Sequence, residues 1–268
     1  MGTLKIKLLV ALFLLNISSC SFIDKSKKFS YKNFIDINRE IIENYSKAIS
    51  KDPNNHNYYL ERGKAKYDYR DFKGAIKDFD DSFKINSNIK VLFYRAKAKF
   101  DYGDYKGAIN DYEKIVFIKD FKDQIFYNLA SSQFILRNYV SAIYNYSESI
   151  KLDPNDHTSY LNRGNLKWKI NNFNESIQDF TKSIQIYKDS YITFNNRGVS
   201  KFALGKYKSA LADFKKSLIL NDSNYNTFYN KSLTHFELKE FKKACIDLKK
   251  SIKLGKEVFK DEFTKICI

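Results

Sequence analysis

Apolar residues recur along this chain at three-and-four spacing in short runs, and the runs come in pairs. In Tyr191–Asp222 the first run carries Phe194, Gly198, Lys201 and Phe202. The second carries Tyr207, Ala210, Leu211, Phe214, Ser217 and Leu218. Each set covers one face of a helix. Leu204-Gly205-Lys206 joins them, so the stretch predicts an antiparallel helix pair with small residues at the crossing. A single pair buries too little apolar surface to stand alone and must stack on others.

Other copies are present. Ala210 has counterparts at Ala75, Ala108, Ala142, Ser176 and Ala244, spaced 33 once and 34 thereafter. Gly198 corresponds to Gly63, Ala96, Ala130, Gly164 and Ser232, all small. Aromatic or large residues recur at the registers of Phe194, Tyr207 and Phe214, and Asp52-Pro53 and Asp153-Pro154 fit a repeat-closing proline. This pattern resembles the tetratricopeptide repeat family, whose 34-residue unit has a large residue, a small one, an aromatic, an Ala, an aromatic and a Pro. The resemblance covers about residues 36–254. It implies an all-α, right-handed superhelical solenoid of antiparallel helix pairs. The expected solenoid runs over residues 33–255, with a half repeat at 33–55 and six repeats over 56–255. The half repeat reads as one helix over 33–51, with Ile37, Ile41, Ile42, Tyr45, Ala48 and Ile49 on its apolar face. Residues 256–268 read as a C-terminal capping helix and tail, with Val258, Phe259, Phe263 and Ile266 covering the last repeat.

The N-terminus departs from the repeat. Lys5 and Lys7 precede an apolar run, Leu8–Leu15, that is too short to span a bilayer. Ile17-Ser18-Ser19-Cys20 follows and looks like a bacterial lipobox. That resemblance implies a lipoprotein signal peptide at 1–19, acylation (palmitate among the chains) at Cys20, and a lipidated tether over 20–32. An ordinary secretory signal containing a cysteine is the plainer alternative. The expected location is the bacterial cell envelope, anchored by lipid to a membrane.

A formal charge of +16 suits an anionic partner, but no dense Lys/Arg run appears and Asp and Glu are interspersed, so a Lys- and Asn-rich composition spread over solvated helix faces explains it better. Cys245 occupies a slot held elsewhere by Ile or Leu and so reads as a buried small apolar residue, with a disulfide to Cys267 the lesser alternative. His56, His157 and His235 have no ligand spacing, so no metal is expected. No phosphate loop or nucleophile elbow is present, and no stretch remains for a catalytic domain. The expectation is a protein without enzymatic activity or cofactor.

Two within-repeat patterns suggest chemistry. Arg62, Arg95, Arg163, Arg197 and Lys231 precede the small residue, and Asp78, Asp111, Asp179, Asp213 and Asp247 stand sixteen residues later. The third repeat has Leu129 and Asn145 instead, losing both charges together. This predicts an ion pair across each hairpin. Asn128, Asn162, Asn196 and Asn230 share one first-helix position. In the family the first helices line a concave groove, so these amides, with Asn165, Lys64, Lys97 and Trp168, are candidates to hold an extended peptide. The functional expectation is a membrane-anchored scaffold, a monomer or weak oligomer, that binds an extended segment of another envelope protein and no nucleic acid. The alternative is a surface factor that binds an anionic polymer or lipid headgroup through its basic surface.

Overall fold

The structure, a computed structural model, describes the backbone of residues 25–257 and 267, and the side chains of residues 35–257 and 267. Leu8–Leu15, Cys20, Val258, Phe259, Phe263 and Ile266 lie outside the described residues. The described chain is all helical. No helix in it is long and apolar enough to cross a membrane.

Residues 20–153 make one compact unit, and residues 154 onward form the body of a second. The first holds α1 (Lys25–Lys51), α2 (His56–Asp68), α3 (Phe72–Ile85), α4 (Lys90–Tyr102), α5 (Tyr105–Ile115), α6 (Lys122–Ile135) and α7 (Tyr139–Leu152). The second holds α8 (His157–Lys169), α9 (Phe173–Ile186), α10 (Tyr191–Ala203), α11 (Tyr207–Leu220), α12 (Tyr225–Glu237) and α13 (Phe241–Lys253). From α2 on, helices pair two by two, and within each unit every pair packs on the next. Helix α1 packs on α2.

The chain is helical from Lys25, eight residues before the expected start of α1 at 33, within the segment read as a tether. Residues 25–32 contain neither Pro nor Gly, so nothing in them stops a helix that has nucleated further on. The expected apolar face of α1 is also rotated slightly: Ile37 is 56% exposed while its neighbour Asn38 is buried.

Each hairpin crosses at side chains small enough to let backbones approach. Ala75, Ala108, Ala142, Ser176, Ala210 and Ala244 are all fully buried. At the facing position the glycines meet phenylalanines. A Cβ on Gly198 would stand 2.6 Å from a Phe214 ring carbon, and one on Gly63 2.7 Å from Phe79. Where the small residue is Ala96 or Ala130, the matching aromatic is Tyr112 or Tyr146. Each hairpin turn is then closed by an aromatic pair. Tyr67–Phe72, Phe100–Tyr105, Phe134–Tyr139, Trp168–Phe173, Phe202–Tyr207 and Phe236–Phe241 have ring centroids 5.4–6.5 Å apart.

The turns reverse through one left-handed residue each: Arg70, Gly103, Arg137, Asn171, Gly205 and Lys239, with φ between 60° and 95°. Only two of the six are glycine, so four turns carry a side chain in a conformation that disfavours one. A buried serine ties most pairs at the other end. Ser82, Ser183, Ser217 and Ser251 donate at 2.8–2.9 Å, and Ser149 at 3.3 Å, to the carbonyl of the first helix 26 residues earlier. Ile115 holds this register in the second repeat and is packed in the core instead. Cys245 on α13 is not simply a buried apolar side chain: it is half-buried and disulfide-bonded to Cys267, with the Cα atoms 5.0 Å apart.

Candidate functional site

Asp78, Asp111, Asp179, Asp213 and Asp247 on the second helices have side chains only 0–7% exposed, and each is held from the first helix of its own hairpin. Arg62 reaches Asp78 with both Nε (2.9 Å) and Nη2 (2.7 Å). The same two-pronged contact joins Arg95 to Asp111, Arg163 to Asp179 and Arg197 to Asp213. Lys231 contacts Asp247 at 2.8 Å. The guanidinium fork suits this bidentate geometry in a way an ammonium cannot.

In four of these sites a second cation, absent from the sequence reading, completes the contact. Lys66, Lys99, Lys167 and Lys201 lie one helical turn past the Arg and approach the same carboxylate at 2.8–2.9 Å. In the last repeat His235 takes that place, with Nε2 3.5 Å from Asp247 and Nδ1 2.6 Å from Glu240. The third repeat is neutral throughout: Leu129 replaces Arg, Gln133 replaces Lys, and Asn145 donates to Gln133 at 2.7 Å. The signal was available, since Lys at this register is lost in the same repeat that loses Arg and Asp. The remaining guanidinium nitrogen reaches back to the preceding helix: Arg62 to Ser46 and Arg197 to Thr181 at 3.1 Å, and Arg95 to Asp80 at 2.6 Å. The clasp therefore joins three helices, not two.

Consecutive first helices touch within each unit, so each unit presents a continuous first-helix face. In the C-terminal unit that face carries an amide chain across α8, α10 and α12. Asn196 donates to Asn165 at 3.0 Å, Asn195 donates to Asn196 at 3.2 Å, and Asn230 donates to Asn195 at 3.0 Å. Asn195, which the sequence reading did not single out, is the hub, for Thr227 also donates to its carbonyl oxygen at 3.2 Å. Asn196 and Asn230 are 4% and 3% exposed, while Asn162 and Asn165 are half-buried. The side-chain oxygen of Asn230, Oδ1, is buried and has no hydrogen-bond partner among the described residues. Trp168 is 6% exposed and packs with Val199, Ala210 and Phe214, so most of its ring is core.

In the N-terminal unit Asn128 is half-buried, and the first-helix face is basic and aromatic instead. Lys64 and Lys97 border a cavity of about 190 Å³ with Tyr67, Asp68, Phe79 and Tyr94. The Lys64 ammonium lies 4.7 Å from the Tyr94 ring centre and bonds Glu61 at 2.7 Å. That of Lys97 lies 5.1 Å from the Tyr67 ring centre. Tyr67 donates to Asp101, and its burial, reinforced by that carboxylate, pushes the phenol above its ordinary range.

A stack of helix pairs with a small crossing residue and a 34-residue period defines a tetratricopeptide-type solenoid fold. Residues 157–190 and 225–255 match the tetratricopeptide repeat family model, and these segments are tetratricopeptide repeats. Among solved structures, the chain resembles YrrB, described as a tetratricopeptide repeat protein with an unusual peptide-binding site. That likeness has a TM-score of 0.62 at 16% identity, over 70% of this chain and 97% of that one. It also resembles a tetratricopeptide repeat protein from Parabacteroides merdae (TM-score 0.59, 20% identity, 89% and 97% covered). The MamA protein is similar as well (TM-score 0.59, 23% identity, 63% and 92% covered). At these identities the likeness establishes the fold. No curated protein matches the sequence.

Proposed function

We propose that this protein is a non-enzymatic scaffold, anchored in a bacterial envelope by acylation of Cys20, that binds an extended segment of another envelope protein. The observation that carries the reading is the amide chain across α8, α10 and α12. Asn196 and Asn230 are locked into it, and Asn196 holds the half-buried Asn165 in place along the first-helix face, where the half-buried Asn162 stands one position before the clasp arginine. An asparagine amide offers one acceptor and two donors, which suits the alternating groups of a peptide backbone largely regardless of its side chains. The fold shared with YrrB, for which a peptide-binding site is described, supports the same reading. In the N-terminal unit Asn128, Lys64 and Lys97 form a separate contact region, where the lysines suit a carboxylate on the bound segment.

The test is crosslinked capture from native cells with the full chain and with Asn162→Ala/Asn165→Ala. One envelope protein captured by the first and lost by the second, with a synthetic extended peptide from it binding the purified chain, supports the groove. An unchanged captured set rules the groove out. Incorporation of an alkyne-tagged palmitate into the chain, but not into Cys20→Ser, tests the anchor separately.

A further inference from the structure

Each of the last two second helices carries one aspartate among its lysines, and the fold separates the two charges. The only carboxylates on α11 and α13 are Asp213 and Asp247, both buried in clasps. What remains outside on α11 is Lys208, Ala212, Lys215, Lys216 and Ile219, a single helix face by spacing and all exposed. The same five positions on α13 are Lys242, Ile246, Lys249, Lys250 and Lys253, again all exposed. Both helices pack against α12, one repeat apart, so the two stripes share a register. Earlier second helices do not do this. The matching positions on α9 carry one lysine, on α7 one lysine and one glutamate, and on α3 three lysines with two aspartates.

The stripes are also apolar in places. Ile219 is 75% exposed and Ile246 68%, and Phe241 at the start of α13 is 46% exposed. Isolated exposed apolar residues need no explanation. Two isoleucines set among seven lysines, with no competing carboxylate on either helix, form a pattern that fits an interface between water and lipid. Lysines meet headgroup phosphates while the isoleucines enter the acyl boundary. A nucleic acid or polysaccharide would use the lysines and leave the isoleucines idle.

We infer that the exposed faces of α11 and α13 form a docking surface for an anionic phospholipid bilayer. The surface lies on second helices, away from the first-helix face assigned to a peptide, and does not depend on that assignment. It also differs from a lipid anchor, because it senses headgroup charge.

The test uses the full chain carrying Cys20→Ser in every arm, so that acylation is absent and any contribution of the N-terminus is constant. Co-sedimentation is measured with phosphatidylcholine vesicles and with vesicles that also contain phosphatidylglycerol. The expected result is tighter binding to the anionic vesicles. Lys215→Glu/Lys249→Glu/Lys250→Glu removes that preference, with a loss of more than about 100-fold, since neutralising each lysine costs about five-fold and the added carboxylates repel. Gln at the same three positions, which adds no carboxylate, gives a smaller loss in the same direction. Lys73→Glu/Lys77→Glu/Lys84→Glu on α3 leaves the preference within a few-fold. Ile219→Ser/Ile246→Ser weakens vesicle binding but leaves binding to soluble heparin unchanged. Equal binding to both vesicle types, equal losses from the α3 and α11/α13 sets, or vesicle binding indifferent to the isoleucine pair would each overturn the proposal. The last result would assign the lysines to a soluble polyanion.

Discussion

Asp213 shows what one buried carboxylate demands. It receives Arg197 through two nitrogens and Lys201 through a third, in a site where water reaches almost nothing. Removing one partner leaves charge without adequate compensation, whereas removing the whole set leaves none. Arg197→Ala should therefore lower stability by about 2–4 kcal/mol. The combined change Arg197→Leu/Lys201→Gln/Asp213→Asn, which copies the third repeat, should cost less than that single substitution. Urea unfolding of the two variants checks the order, and a costlier triple variant would show that the clasp is a net source of stability. The clasp leaves a trace in the sequence only because one repeat lacks it. The lysine member shares that trace, but its carboxylate stands twelve residues on, across the turn on the other helix, so no local spacing marks the pair. The Asn ladder was legible as a register, but not as a buried chain, because Asn195 lies one residue off that register. Left-handed turn residues were legible at Gly103 and Gly205 alone. At Arg137, φ is 63° with a side chain attached. Arg137→Gly should raise stability by about 0.5–1 kcal/mol, the relief of that conformation less the extra entropy glycine loses on folding. Chemical denaturation reads the gain.

Helix starts show the same dependence on single side chains. Asp156 caps α8 by accepting from the backbone of Thr158 at 2.9 Å and of Ser159 at 3.2 Å, and from both hydroxyls. Burial pushes its carboxyl upward, but these four donors outweigh burial and hold it below the usual aspartate range. A depressed folded value means the contribution is present above the unfolded pKa of about 3.9 and disappears as pH falls through the folded one. Asp156→Ala should thus cost about 1 kcal/mol at neutral pH, and the gap to the parent should close below about pH 4. Thermal melts of both proteins across that range test it, and a gap independent of pH would mean the cap acts without its charge. At this scale the sequence was most readable, because three-and-four spacing repeated six times leaves few other ways to bury the apolar faces. It was least readable at α1, where no turn residue marks a beginning and the helix extends to Lys25.

For the molecule as a whole, a formal charge of +16 is divided unevenly between inside and outside. Charge sorting was invisible in the sequence, since Asp213 stands two residues from Lys215 and only the fold shows that one faces the clasp and the other water. The exposed lysines repel one another, while the buried clasps lie largely beyond the reach of dissolved ions. Raising salt from about 10 mM to about 150 mM shortens the screening length from ~30 Å to ~8 Å. The melting temperature should then rise by ~2–4 °C. A fall would mean that exposed ion pairs, not repulsion, dominate the surface. The clasps have another consequence. Their arms join residues twelve and sixteen apart, the serine ties join residues 26 apart, and the longest hydrogen bond of the amide chain spans 35. Every fastening is thus written within about one repeat of itself. An in-frame duplication or loss of one repeat length of coding sequence would carry its own fastenings with it, so such a gene can lengthen or shorten without having to rewrite the copies it keeps.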